Sequence, residues 1–261
     1  MISKNQAKTL RALHKKKYRR EYQQFLVEGE KSIVELLASG WPLQQLFASE
    51  EFLRAHASLV ADFSEKVTSA TASELTQLGT LVSNHAALAI AQIPEEQSLN
   101  WQPGEWLLAL DQINDPGNLG TILRIADWYG IRKVICSPGT ADLYNPKVIA
   151  ASKGSFLRVQ VSYQPLEPFL KTLPKAASVL GAFLEGESIH QLQLADPGQG
   201  GVLVMGSEAQ GISAEVAALI NRQVTIPAFG AAESLNVGVA TAILCDNLKR
   251  LEDAVDSRPL P

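Results

Sequence analysis

Residues 106–136 read WLLALDQINDPGNLGTILRIADWYGIRKVIC and hold a complete strand, loop, helix and strand. Residues 106–110 are apolar without a break, the mark of a strand buried on both faces. The next stretch, Asp111, Gln112, Ile113, Asn114, Asp115, Pro116 and Gly117, has the composition of a loop. Asn118 then opens a stretch of helical character that runs to Tyr129, and residues 133–136 read as another short strand. Short apolar strands joined by a helix are the unit from which parallel sheets are built.

The pattern continues on both sides. Downstream, residues 145–153 are helical with Pro146 at the start. Residues 159–161, 179–184, 202–205 and 224–226 are further apolar strands. Helical stretches lie between most of them, residues 213–220 among them, and the last helix covers about 235–252. The expectation is an α/β domain over 105–261, with a mostly parallel sheet and helices on both faces. Upstream, PEEQSLNWQPG at 94–104 is polar, has two prolines and lacks a period, so 95–104 is expected to be a linker. Residues 1–94 repeat the alternation on a smaller scale. Helices are expected at 1–22, 31–39, 52–63 and from Ser73, with strands at 25–27, 46–48, 66–68 and 86–93.

The composition fits a folded chain. Of 261 residues, 46% are hydrophobic and 19% charged, which excludes a largely disordered or collagen-like protein. No run of about 18 apolar residues exists, so no membrane-spanning helix is expected. The two cysteines, Cys136 and Cys245, form no CxxC, and the four histidines are scattered. Neither a disulfide framework nor a structural metal site is expected, and the default compartment is a reducing cytoplasm. The basic N-terminus has no apolar segment after it and is not read as a secretory signal.

Charge is unevenly spread. Lys4, Lys8, Arg11, Lys15, Lys16, Lys17, Arg19 and Arg20 fall in the first twenty residues, which hold no acid, while the whole chain has a net charge of −4. A basic end on an acidic body suits contact with a polyanion, most simply nucleic acid; a solvated first helix is the plainer reading.

Chemistry in open α/β sheets gathers beyond the carboxyl ends of the strands. Three loops there, 111–120, 206–213 and 226–236, are rich in glycine, asparagine and serine. None completes GxGxxG, and neither GxxxxGK[ST] nor GxSxG occurs, so dinucleotide-binding, P-loop and α/β-hydrolase readings lack their main signal.

NDPGNLGTILRIADWYG (114–130), VLVMGSEAQGIS (202–213) and IPAFGAAESLNVGVATAILCDNL (226–248) resemble, in order and spacing, the three signature motifs of the SpoU (TrmH-type) RNA 2′-O-ribose methyltransferases. The resemblance covers about 105–253. YNPKV (144–148) and ASKG (151–154) resemble another family segment, except that Lys153 stands where an apolar residue is usual. KKKYRREYQQFLVEGEKSI (15–33) is similar to the start of the substrate-binding domain of many members, a small α/β domain that looks like ribosomal proteins binding kinked RNA.

The resemblance implies a SPOUT fold, in which the C-terminal chain of the sheet domain forms a trefoil knot. It implies S-adenosylmethionine as the methyl donor, S-adenosylhomocysteine as product, no metal, a structured RNA substrate (rRNA or tRNA, the separate N-terminal domain favouring rRNA) and a homodimer that completes the site. Arg124 matches the family's essential arginine. It acts either as general base or, since a guanidinium is almost never deprotonated, by orienting phosphate or ribose through its fork. Asn118 caps its helix or also places Arg124 or the substrate. Glu208 pairs with Arg124 or orients the backbone around the cofactor. Ser234 and Asn236 flank Leu235 at the start of the last helix. Gly206, Ile226 and Leu235, with Met205 and Ser234, are the implied cofactor contacts. Lys15, Lys16, Lys17, Arg19 and Arg20, with Lys147 and Lys153, are the expected RNA contacts. Two other readings stand beside this one: a base methyltransferase of the same fold, and an RNA-binding or ribosome-assembly protein with a vestigial pocket.

Overall fold

The computed structural model describes residues 1–96 and 98–256. Gln97, in the expected linker, and residues 257–261, at the end of the expected second domain, lie outside the described residues. In chain order the helices are α1 (Lys4–Leu13), α2 (Lys16–Tyr22), α3 (Glu30–Ala38), α4 (Glu50–Ala55), α5 (Ala57–Val60), α6 (Ala72–Leu78), α7 (Pro116–Trp128), α8 (Pro146–Ser152), α9 (Leu166–Lys171), α10 (Ala214–Ala217) and α11 (Val237–Asp256). The strands are β1 (Gln24–Glu28), β2 (Leu43–Ala48), β3 (Val67–Ser69), β4 (Ala87–Gln92), β5 (Glu105–Asp111), β6 (Lys133–Cys136), β7 (Gln160–Tyr163), β8 (Ser178–Ser188), β9 (Gly200–Gly206) and β10 (Arg222–Thr225). The described residues pack as two compact units: 1–96 with 142–157, and 98–141 with 158–256.

The first unit holds a four-stranded sheet in the order β1-β4-β2-β3. β4 runs antiparallel to β1 and β2, and β3 runs parallel to β2. Leu10, Leu13, Leu26, Phe47, Leu75 and Leu88 fill its core. Local chemistry sets the helix starts. Ser3 and Gln6 form a capping box on α1, and Thr71 and Glu74 form one on α6, two residues ahead of the expected start at Ser73. The single helix expected at 52–63 is interrupted at His56, whose backbone (φ −119°, ψ 30°) leaves the helical region.

Residues 142–157, read from sequence as part of the second domain, pack in this first unit. Phe25 of β1 meets Tyr144 at 4.7 Å and Phe156 at 5.9 Å between ring centroids, and Trp41 meets Phe156 at 6.1 Å. α8 lies against β1. Apolar burial decides the matter: Phe25 and Phe156 are both enclosed.

The second unit holds a six-stranded, all-parallel sheet in the order β10-β8-β9-β5-β6-β7. β5 and β9 lie side by side, paired from Glu105 with Gly200 to Asp111 with Gly206. Two of the three unusual loops therefore leave neighbouring strands at the same end. The third follows β10 and leads into α11, which packs against α7. Leu107, Ala109, Ile135, Val202 and Val204 lie in the core of this unit. So do Leu99 and Trp101, whose indole donates to the Glu105 carbonyl at 2.9 Å; this part of the expected linker is tied down. The helix expected at 213–220 is a single turn, α10.

Candidate active site

Asp115, not Asn118, caps α7. Its carboxylate accepts from the Asn118 N–H at 2.8 Å, and Pro116 takes the first helical position. The sequence reading placed the cap three residues late. Asn118 thus lies inside the first turn, with its side chain free to reach across to the neighbouring loop. Asn236 does cap its helix: its Oδ1 accepts from Gly238 N–H at 3.0 Å and Val239 N–H at 3.4 Å.

Asn118, Glu208 and Asn236, one from each loop, meet in one cluster. Asn236 Nδ2 donates to Asn118 Oδ1 at 2.9 Å and to Glu208 Oε1 at 2.8 Å. Asn118 Nδ2 donates to the same Glu208 oxygen at 3.3 Å, and the Val237 N–H adds a bond at 3.2 Å. Three donors on one carboxylate oxygen fix both amide groups in a single orientation. The cluster borders an open cleft of about 250 Å³, lined also by Gln112, Asn114, Ser207 and Gln210.

Arg124 lies outside that cluster. It is exposed on α7 and lines a separate groove with Thr121, Ile125, Trp128, Tyr129 and Ala242. The pairing of Arg124 with Glu208 that sequence reading allowed is not made; Glu208 faces the two asparagines. Met205 is buried, Gly206 and Ile226 are half-buried, and Ser234 and Leu235 are exposed. A Cβ on Gly206 would stand 2.2 Å from the Gly211 carbonyl carbon, so only glycine lets the loop close at this point. Among the described residues no group of three or more His, Cys, Asp or Glu is placed to hold a metal.

The basic residues divide. Lys15, Lys16, Lys17 and Arg20 are exposed in the first unit, as are Lys147 and Lys153 at the two ends of α8. Lys153 takes a left-handed backbone (φ 51°) that ends the helix. Arg19 is a correction: it is 2% exposed and unavailable to RNA. Its guanidinium pairs with Asp142 at 2.6 Å and donates to the Leu13 carbonyl at 2.9 Å and the His14 carbonyl at 3.0 Å. Being long and always charged, it satisfies the carbonyls at the end of α1.

Two residues not singled out from sequence matter here. Asp111, last in β5, and Ser213, last in the second loop, are hydrogen-bonded to each other. The available signal was a carboxylate ending a wholly apolar strand, which must find partners once buried.

Comparison with known proteins gives concordant results. Residues 105–246 match the SpoU rRNA Methylase family, and residues 4–89 match the MRM3-like substrate binding domain. The chain is 31% identical to the 23S rRNA (guanosine(2553)-2'-O)-methyltransferase RlmP of Bacillus subtilis (strain 168), over 95% of this chain and 97% of that protein. Among solved structures, a TrmH-family protein from Porphyromonas gingivalis is 39% identical with a TM-score of 0.82, covering 96% of this chain and 99% of that one. An AdoMet-bound rRNA methyltransferase from Sinorhizobium meliloti is 27% identical with a TM-score of 0.84, covering 96% and 97%.

Proposed function

We propose a reaction from one premise: this chain belongs to the SpoU rRNA methylase family. It is an enzyme that transfers a methyl group from S-adenosylmethionine to a ribose 2′-OH of RNA. The observation that carries the reading is the Asn118–Glu208–Asn236 cluster, which ties the three family motifs together at one end of the parallel sheet. Ribosomal RNA is favoured over tRNA, because the Bacillus subtilis relative matched along nearly its whole length is a 23S rRNA enzyme.

The residues present fit the methyl donor. The close approach of Gly206 to Gly211 leaves a tight loop of main-chain groups, and Ile226 and Leu235, in the third motif, keep apolar side chains at least partly exposed. Met205, Gly206, Ile226, Ser234 and Leu235 are the residues that hold it. When bound, S-adenosylmethionine supplies an electrophilic methyl group on a sulfonium, which asks chiefly for an aligned oxygen. Alignment is the larger part of such a task, worth roughly 7–11 kcal/mol in well-oriented systems. A guanidinium is almost never deprotonated in a protein, so Arg124 orients the ribose or its phosphate through its fork, and the 2′-OH proton passes to water as the methyl group is transferred and S-adenosylhomocysteine leaves. Glu208, engaged by three donors, holds the two asparagines in place.

The remaining parts of the proposal follow the family. The C-terminal chain forms a trefoil knot. The N-terminal segment, 1–94, is the RNA-binding domain, of the kind that resembles kink-binding ribosomal proteins; Lys15, Lys16, Lys17 and Arg20 supply its phosphate contacts, joined by Lys147 and Lys153 from the 142–157 stretch of the same compact unit. The protein works as a homodimer, supported by Trp128 on α7, 82% exposed, and Val239 on α11, 50% exposed. It acts in the cytoplasm, without a metal. No helix among the described residues is long and apolar enough to cross a membrane.

The test is transfer from methyl-labelled S-adenosylmethionine to RNA lacking the modification, followed by digestion to nucleosides and mass analysis. A 2′-O-methyl nucleoside from the rRNA fraction is the expected product. A methylated base would keep the fold and overturn the mechanism.

A further inference from the structure

We propose that Asp111 and Ser213 form a latch that sets the position of the loop carrying Glu208. The proposal rests on the methyltransferase reading and adds two positioning residues to it; neither belongs to the Asn118–Glu208–Asn236 cluster.

Asp111 is only 3% exposed, and its Oδ2 accepts from Ser213 N–H at 2.8 Å and from Ser213 Oγ–H at 2.6 Å. Ser213 stands at the N-cap of α10 with an extended backbone (φ −61°, ψ 151°), where a serine hydroxyl ordinarily accepts from the helix. Here it makes no such bond and donates to Asp111 instead. A cap is given up for a carboxylate 102 residues away in sequence, at the end of the adjacent strand β5.

The loop between is closed on itself. Ser207 N–H donates to the Gly211 carbonyl at 3.1 Å, Gly211 N–H returns a bond to the Ser207 carbonyl at 2.8 Å, and Gln210 N–H reaches Ser207 Oγ at 3.2 Å. Such a turn is braced by its own hydrogen bonds. Its upstream end, Gly206, is paired with Asp111 through the β5–β9 register, and its downstream end, Ser213, is held by the Asp111 carboxylate. Both ends therefore refer to one residue. Glu208, near the tip, is delivered to Asn236 and to the Val237 N–H. Gln112 and Ser207, the chain neighbours of Asp111 and Gly206, line the same cleft. A buried carboxylate left without donors is costly, so other loop positions are disfavoured.

The test uses the full chain with Asp111→Ala, Ser213→Ala and Ser213→Thr. S-adenosylmethionine affinity is read by calorimetry, loop mobility by hydrogen exchange of the Gln210 and Gly211 amides, and RNA affinity by filter binding. Ser213→Ala, which loses one charge-assisted bond, is expected to weaken S-adenosylmethionine binding about tenfold, and Asp111→Ala, which loses both, at least as much. They should also speed exchange at both amides and leave RNA affinity unchanged. The double alanine variant should be no worse than Asp111→Ala alone, and Ser213→Thr, which keeps the hydroxyl, should retain affinity and protection together. Unchanged exchange in Ser213→Ala, or additive losses in the double variant, would overturn the latch. Should Asp111→Ala not fold, the Ser213 pair decides alone. A wild-type protein that binds no S-adenosylmethionine would overturn the reaction reading, while the exchange data would still judge the latch.

Discussion

Arg19 and Arg20 are neighbours in a basic segment and have opposite surroundings. Arg19 is buried against Asp142 and two carbonyls, while Arg20 is exposed. Arg19→Ala should lower unfolding free energy by about 3–5 kcal/mol, because it strands a partly buried carboxylate. Arg20→Ala should leave stability within about 0.5 kcal/mol and reduce the salt slope of RNA binding by about one. Urea denaturation and binding across a salt series separate the two. Nothing in a run of lysines and arginines distinguishes these positions; the partner of Arg19 lies 123 residues away. Arg124 tests the site itself: Arg124→Ala should lower kcat at least about 100-fold, the size of a lost transition-state contact, with S-adenosylmethionine affinity unchanged. Loss of cofactor binding in step with activity would contradict an orienting role. The two thiols make a pH prediction. Burial pushes Cys245 up to about 12 and raises Cys136 as well. The unfolded thiols ionise near about 8.5, so the stability these groups contribute is full below that pH and falls as pH rises above it. Denaturation midpoints measured from pH 7 to 10 check the sign.

At the scale of elements, the strand–helix alternation was legible because apolar strands buried on both faces stand out from helical periodicity. All six strands of the parallel sheet were anticipated within a few residues. Ends were less legible. Asp115 takes the cap expected of Asn118, since Pro116 fits the first helical turn and leaves Asp115 the extended backbone a cap needs. The meeting of Asn118, Glu208 and Asn236 could be anticipated only from the motifs. Strand order places β5 beside β9, and that adjacency is a long-range fact which no local pattern carries. The break of the expected helix at His56 has no breaker residue to announce it.

At the scale of the whole molecule, chain order and packing differ. Residues 142–157 lie in the first compact unit, where Tyr144 and Phe156 cover Phe25. A fragment of residues 1–94 therefore lacks part of its own core. It should show a broad, weakly cooperative thermal transition, and Phe156→Ala in the intact chain should cost about 3–5 kcal/mol. A sharp transition for the fragment, seen by calorimetry, would show that the segment contributes no core. The exposed basic residues at 15–20 and at both ends of α8 belong to this same unit, which makes it the RNA-gripping body of the proposal. The most direct measurement is the resistance of ribosomal RNA to alkaline cleavage after incubation with the protein and S-adenosylmethionine. A 2′-O-methyl group blocks attack by that oxygen on the adjacent phosphodiester. The expected result is protection of a single phosphodiester in rRNA, dependent on S-adenosylmethionine and absent with Arg124→Ala. Label incorporated into the same RNA with every phosphodiester still cleavable would place the methyl group on a base and contradict ribose methylation.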